Sequence, residues 1–186
     1  MRAPRLMPLV LLLALASPAR AGLLNGSFEP PAPFSGVLAL APGVADLSPW
    51  TVTGEGVHWQ CATFELPAAD GVAYLDIAQG GVEQAFATNA GSTYEVRFAI
   101  LGSPGATVTV SAAGTTQAYS GSSASVFLSW EQRSFRFVAR SSLTTLAFQG
   151  GPIQAGPMLL DRVTVLPGQS TPTETTSWGQ LKQAYR

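Results

Sequence analysis

Leu23-Leu24-Asn25-Gly26-Ser27-Phe28-Glu29 near one end, and Gly156-Pro157-Met158-Leu159-Leu160-Asp161-Arg162-Val163-Thr164-Val165 near the other, decide how the chain is read. Each is an apolar run that carries a single carboxylate. Together they predict the first and last strands of one β-sandwich, lying close to each other, with the remaining strands between them.

The intervening sequence fits that frame. Trp50-Thr51-Val52-Thr53 and Val57-His58-Trp59-Gln60 alternate apolar and polar residues around the turn Gly54-Glu55-Gly56, as half-buried strands do. Val72 to Ile77 places Ala73, Leu75 and Ile77 on one face and Tyr74 and Asp76 on the other. Val82 to Phe86, Thr93 to Leu101, a hairpin around Ala113-Gly114, Trp130 to Ala139 and Leu143 to Phe148 follow, divided by Gly, Asn and Ser turns. Turn signals at about 8–12-residue spacing predict an all-β sandwich or barrel. Residues 30–49, with five prolines, read as one long loop, and loops of that length are often functional. Trp50 and Trp130 begin inward-facing runs and are assigned to the core; the place of Trp59 is left open.

The 186 residues suffice for one domain with a real core. Hydrophobic residues make up 46% and charged residues 11%, too few charges for a disordered chain or a helical protein with a charged outer face. Residues 1–21 read as a secretory leader: Arg2 and Arg5, an apolar stretch from Leu6 to Ala16, then Ala19-Arg20-Ala21 before a cut at Gly22. The apolar stretch falls short of the about 20 residues that span a bilayer, and no other segment would span. Removing Arg2, Arg5 and Arg20 leaves 7 basic residues against 11 acidic ones, near −4. That balance excludes a basic nucleic-acid surface. The single Cys61 allows no internal disulfide and reads as a half-buried hydrophobe.

The expected organisation is a leader at 1–21, a sandwich at 22–167, a polar linker at 168–176 and a short amphipathic tail at 177–186. In the tail Trp178, Leu181 and Tyr185 share one helical face. Either the end is frayed, or the tail docks on sorting or anchoring machinery.

Catalytic motifs are absent. One histidine makes neither HExxH nor a zinc cluster, and no nucleophile elbow, phosphate loop or calcium loop occurs. A glycosidase pair such as Glu55 with Glu65 or Asp76 is the one enzymatic arrangement the carboxylates leave open, and the expectation is no enzyme. Asn25-Gly26-Ser27 matches a glycosylation sequon but reads as structural. If the strands of His58 and Tyr74 pair, His58, Gln60, Tyr74 and Asp76 share the face away from the core. Aromatic and amide groups on an open sheet face suit sugars, a ring stacking on C–H groups while amides meet hydroxyls. A plain solvated face is the alternative.

Six pieces in series resemble the DUF642 family of secreted proteins: Leu24 to Glu29, Pro49 to Val52, Val72 to Asp76, Val82 to Phe86, Gly91 to Tyr94, and Gly156-Pro157 with Asp161-Arg162-Val163. The resemblance spans about residues 23–166. It implies a galactose-binding-domain-like jelly roll, akin to carbohydrate-binding modules and found at cell walls and surfaces. Plant members usually carry two such domains, and bacterial relatives vary in their C-terminal anchors. Relatives often have two acids before the last valine, where this chain has Asp161-Arg162. Sandwiches of this type often hold an ion, so Glu29 and Asp161 are expected to share one structural Ca²⁺, with Asn25 or backbone carbonyls completing the shell. Otherwise Glu29 caps the Pro-rich loop and Asp161 pairs with an arginine. The expected function is a secreted, non-catalytic module that binds a polysaccharide or cell-surface glycan; the rival is a structural or adhesion sandwich with no sugar site.

Overall fold

A computed structural model of the chain describes residues 22–32, 34–63, 66–122 and 129–168. The expected leader, the tail at 177–186 and all of the linker but Gly168 lie outside these residues.

Eleven strands form in the described chain: β1 (Val37–Leu40), β2 (Thr51–Gly54), β3 (Val57–Cys61), β4 (Ala73–Asp76), β5 (Gly80–Ala87), β6 (Thr93–Gly102), β7 (Thr107–Ala112), β8 (Thr115–Ser120), β9 (Glu131–Val138), β10 (Leu143–Gly150) and β11 (Met158–Pro167). They build one six-stranded sheet, β1-β3-β4-β11-β6-β9, and one five-stranded sheet, β2-β5-β10-β7-β8. All pairings are antiparallel. The fold is an all-β jelly-roll sandwich. β2 and β3, only two residues apart, belong to opposite sheets, so the Glu55-Gly56 turn carries the chain across the sandwich.

Alternation supplies the core. From β4 come Ala73 and Leu75, from β6 Tyr94, Val96, Phe98 and Ile100, from β9 Phe135 and Phe137, and from β10 Leu146 and Phe148. Trp50 lies among them, 5.2 Å from Phe28 and 6.3 Å from Phe148 between ring centres. Trp59 is buried in the same cluster.

Two expectations are corrected by the backbone. Leu23 to Glu29 lies beside β11, but it is a turn and not a strand. Asn25 and Phe28 have φ of 47° and 55°, and the Phe28 N–H bonds the Asn25 carbonyl at 3.2 Å. The cause is the Asn25 amide, which accepts from Glu29 N–H at 2.7 Å and donates to the Glu29 carbonyl at 3.0 Å. A short polar side chain here takes the backbone partners that a ladder would have used. The segment's one backbone hydrogen bond to β11 is that from Val163 N–H to the Gly26 carbonyl at 2.7 Å. The second correction is that residues 30–49 are not all loop. They contain β1, an edge strand paired with β3 from Val37 against Gln60 to Leu40 against Val57. Its first three residues are exposed, so β1 shows no apolar alternation to read.

The turn at 24–29 is locked into the sandwich by polar groups that must be satisfied once buried. Trp50 Nε1 donates to the Asn25 carbonyl at 2.8 Å, and Trp59 Nε1 to the Phe28 carbonyl at 2.7 Å. Gln84, buried on β5, exchanges two bonds with the Leu24 backbone, at 2.8 and 2.9 Å. With Cys61 a free thiol, these contacts tie the N-terminal segment to both sheets.

Candidate functional site

β3 and β4 pair as the predicted face requires, His58 opposite Asp76 and Gln60 opposite Tyr74. His58 is exposed, and Gln60 and Asp76 are half-buried. Tyr74, expected to face solvent, is only 2% exposed. It lies in a second, smaller cluster with Leu101 and Leu159, against which Leu66, Ala68 and Trp130 pack. Trp130 meets the Tyr74 ring edge-on at 5.6 Å and donates its indole N–H to the Pro67 carbonyl at 2.9 Å. Trp130 therefore leaves the main core for the opposite face of the six-stranded sheet. Parity placed Tyr74 correctly on that face but gave no sign of the segment around Pro67 that covers it. Burial raises the Tyr74 hydroxyl pKa, with the charges of Asp76 and Cys61 adding to the rise. Asp76 Oδ1 accepts from Ala78 N–H at 3.1 Å and Met158 N–H at 3.3 Å. The four residues thus offer no exposed aromatic platform.

Asn25, Glu29 and Asp161 do gather, around the turn at 69–73. Glu29 Oε1 accepts from Val72 N–H at 2.9 Å and Ala73 N–H at 3.2 Å. Asp161 Oδ2 accepts from Asp70 N–H at 2.9 Å and Oδ1 from Arg162 N–H at 2.6 Å. Ser27 Oγ donates to Asp70 Oδ2 at 2.7 Å, joining the two sides. Asp161 is fully buried. Desolvation pushes its pKa up to about 7, against the pull of backbone N–H groups at Asp70, Arg162 and Ala69. A calcium ion needs six to eight oxygens at roughly 2.3–2.6 Å. Here the Asn25 amide and three of the four carboxylate oxygens of Glu29 and Asp161 already bond protein N–H groups. The described residues hold no cluster of three His, Cys, Asp or Glu that could bind a metal. The set does not fit the expected ion. Among the described residues Glu29 does not cap the Pro-rich loop and Asp161 does not pair with an arginine side chain; both hold the same turn. Gly71 lies within that turn at φ +69°, where a Cβ would come 2.1 Å from Glu29 Oε1.

Two clefts adjoin this turn and the Pro-rich segment. One, of about 600 Å³, is lined by Glu29, Pro30, Phe34, Cys61, Thr63 and Val72 among others. The other, of about 550 Å³, is lined by Asn25, Glu29, Pro30, Phe34, Asp46 and Trp59 among others. Glu29, Pro30 and Phe34 are common to both. Phe34 is half-buried and packs on Trp59 at 5.2 Å, tilted by 55°. Its carbonyl accepts from Cys61 Sγ at 2.8 Å. Among the described residues no donor reaches Glu29 Oε2, and this fixed carboxylate lines the same clefts as the half-buried Phe34 ring. The sequence points to this region through the length of its Pro-rich loop and through Asn25 and Glu29, expected to hold a metal; Phe34 carries no motif.

A family model described as "Protein of unknown function (DUF642)" matches residues 21–166. No curated protein sequence matches the chain. Among solved structures it resembles TmCBM61 in complex with β-1,4-galactotriose, at 20% identity and a TM-score of 0.49, over 65% of this chain and 90% of that one. It also resembles CBM35 from Paenibacillus barcinonensis, at 17% and 0.45, over 72% and 100%. A third is the carbohydrate-binding module CBM6cm-2 from Cellvibrio mixtus lichenase 5A in complex with cellotriose, at 11% and 0.46, over 63% and 97%.

Proposed function

This chain belongs to the DUF642 family, and we propose that it is a non-catalytic module that binds a carbohydrate or cell-surface polymer through the two clefts flanking Phe34. The observation that carries the reading is the sharing of Glu29, Pro30 and Phe34 by both clefts. A pyranose has an apolar C–H face and a polar rim. The Phe34 ring, with Pro30 and Val72 beside it, suits the first. Glu29 Oε2 and the Ser35 and Thr63 hydroxyls suit the second, as few and fixed polar groups in a largely apolar site. Two clefts joined at one ring favour an oligosaccharide stretch over a single sugar.

Bond cleavage needs two carboxyl groups set on either side of the scissile bond. Asp46 shares the second cleft with Glu29, but Glu29 is bound through Oε1 to the turn it holds, and we read it as a fixed acceptor for a sugar hydroxyl. The module is placed outside the cell, in keeping with the leader expected at residues 1–21. The test is pull-down on insoluble polysaccharides followed by a glycan array, with Phe34→Ala beside the parent. Retention of the parent and loss in the variant are expected, with no reducing sugar released. Failure of the parent on every polymer would favour the structural or adhesion sandwich; release of reducing sugar would make it an enzyme.

A further inference from the structure

The far side of the six-stranded sheet carries an unabsorbed group of charges. On β6 and β9, Glu95 stands opposite Arg136, with Arg97 two residues along the strand. Arg97 Nε and Nη2 donate to Glu95 Oε2 at 3.1 and 2.8 Å. Arg136 Nη2 donates to Glu95 Oε1 at 3.2 Å. The Arg97 bond, with Arg136 assisting, holds the Glu95 carboxyl below its usual range. One carboxylate therefore braces two guanidinium groups side by side, leaving one net positive charge in a chain of net −1. Arg162 is exposed two residues before Thr164, which stands opposite Arg97.

The arrangement is open to a ligand. A guanidinium carries five N–H donors. Arg97 gives two bonds to Glu95 and Arg136 gives one, and among the described residues neither has another acceptor. Their side chains are 58% and 73% exposed. They line a cleft of about 510 Å³ together with Thr93, Leu166 and Pro167. Leu166 is 39% exposed. Forked donors beside a small apolar floor match a ring that bears an anionic group, since guanidinium forks engage carboxylates and related oxyanions in pairs.

We infer that Arg97 and Arg136, braced by Glu95, form a second binding site that takes an anionic sugar unit, a carboxylate- or sulfate-bearing residue of a polysaccharide. The site rests on the carbohydrate reading above but shares no residue with the Phe34 clefts, so the two fail separately.

The experiment is affinity electrophoresis of the full chain through gels containing polygalacturonate, a sulfated galactan or a neutral galactan. The parent and the Arg97→Gln/Arg136→Gln, Arg97→Lys/Arg136→Lys and Phe34→Ala variants are run together, with thermal melts confirming that each is folded. Both substituted arginines are exposed, so the variants are expected to fold. The parent is expected to be retarded by at least one acidic polymer, less so as NaCl is raised. The glutamine pair should lose roughly tenfold in affinity, the scale of charge-assisted bonds. The lysine pair should recover only part of it, because it restores charge without the fork. The two acidic gels tell carboxylate from sulfate. A glutamine pair retarded like the parent in both acidic gels would overturn the site, as would the absence of any acidic retardation of the parent. Neutral retention lost only in Phe34→Ala would then leave the clefts standing alone. Acidic retention without neutral retention would keep this site and remove the clefts.

Discussion

Trp59 donates its indole N–H to the carbonyl of Phe28, 31 residues earlier, at 2.7 Å in the buried interior. Phe28 is itself fully buried, and its carbonyl belongs to a turn, so no ladder partner stands ready to replace the indole. Trp59→Phe keeps most of the ring but orphans that oxygen. We expect a loss of about 1–3 kcal/mol in urea denaturation, and a smaller loss for Trp50→Phe, because the Asn25 carbonyl keeps the Phe28 N–H. A loss within a few tenths of a kcal/mol would show that the turn is not held this way.

The close approach of Gly26 to β11 gives a second expectation. A Cβ on Gly26 would lie 1.9 Å from the Val163 carbonyl oxygen, so Gly26→Ala must push the two segments apart. The expected destabilisation is on the order of 2 kcal/mol or more. Gly91→Ala, at φ +80° with nothing within 4 Å, suffers only backbone strain and should lose about 1 kcal/mol. Equal losses at the two sites would remove the steric account.

Asp161 sets a pH dependence. Its pKa rises from 3.8 unfolded to about 7 folded, so between those values the native state holds a proton that the unfolded chain has released. Its contribution to stability is complete below about 3.8 and is lost as pH climbs through about 7. Stability against urea should therefore fall across that window by up to a few kcal/mol. Asp161→Asn, which cannot titrate, should flatten that part of the profile. A profile of the same slope in the variant would assign the dependence elsewhere.

Calcium provides a separate check on the same residues. Because Glu29 Oε1 and both Asp161 oxygens accept from backbone N–H groups at Val72, Ala73, Asp70 and Arg162, the melting midpoint should be equal in calcium and in chelator. A midpoint that rises with free calcium, as linkage to a bound ion demands, would return the carboxylates to a cation.

What the sequence reveals here follows from what it encodes locally. Period-two patterning in Val72 to Ile77 and Thr93 to Leu101 marks strands and their inward faces, because burial of one face imposes the alternation. The glycines and polar turn residues mark the ends. β1 escaped because an exposed edge strand needs no alternation. Tyr74 takes the face that parity predicts but not the exposure, since its cover comes from Trp130, distant in sequence, and from Leu66 and Ala68, which belong to no strand. Glu29 and Asp161 both bond the turn at 69–73, and their partners are backbone N–H groups that no side-chain pattern announces. Phe34 was invisible for a related reason: its setting depends on Trp59 and Cys61, neither of them its neighbour in the chain.

The turn at 24–29 also dictates an order of events. Its partners are Trp50, Trp59, Gln84 and, last of all, Val163. A chain made from its N-terminus presents this segment first and supplies its final partner only when β11 arrives. Contacts of such long sequence separation form slowly, so this early segment is among the last to settle. Until Val163 is available the turn lacks its hydrogen bond to β11, so that end of the sandwich is completed only when the last strand joins the sheet.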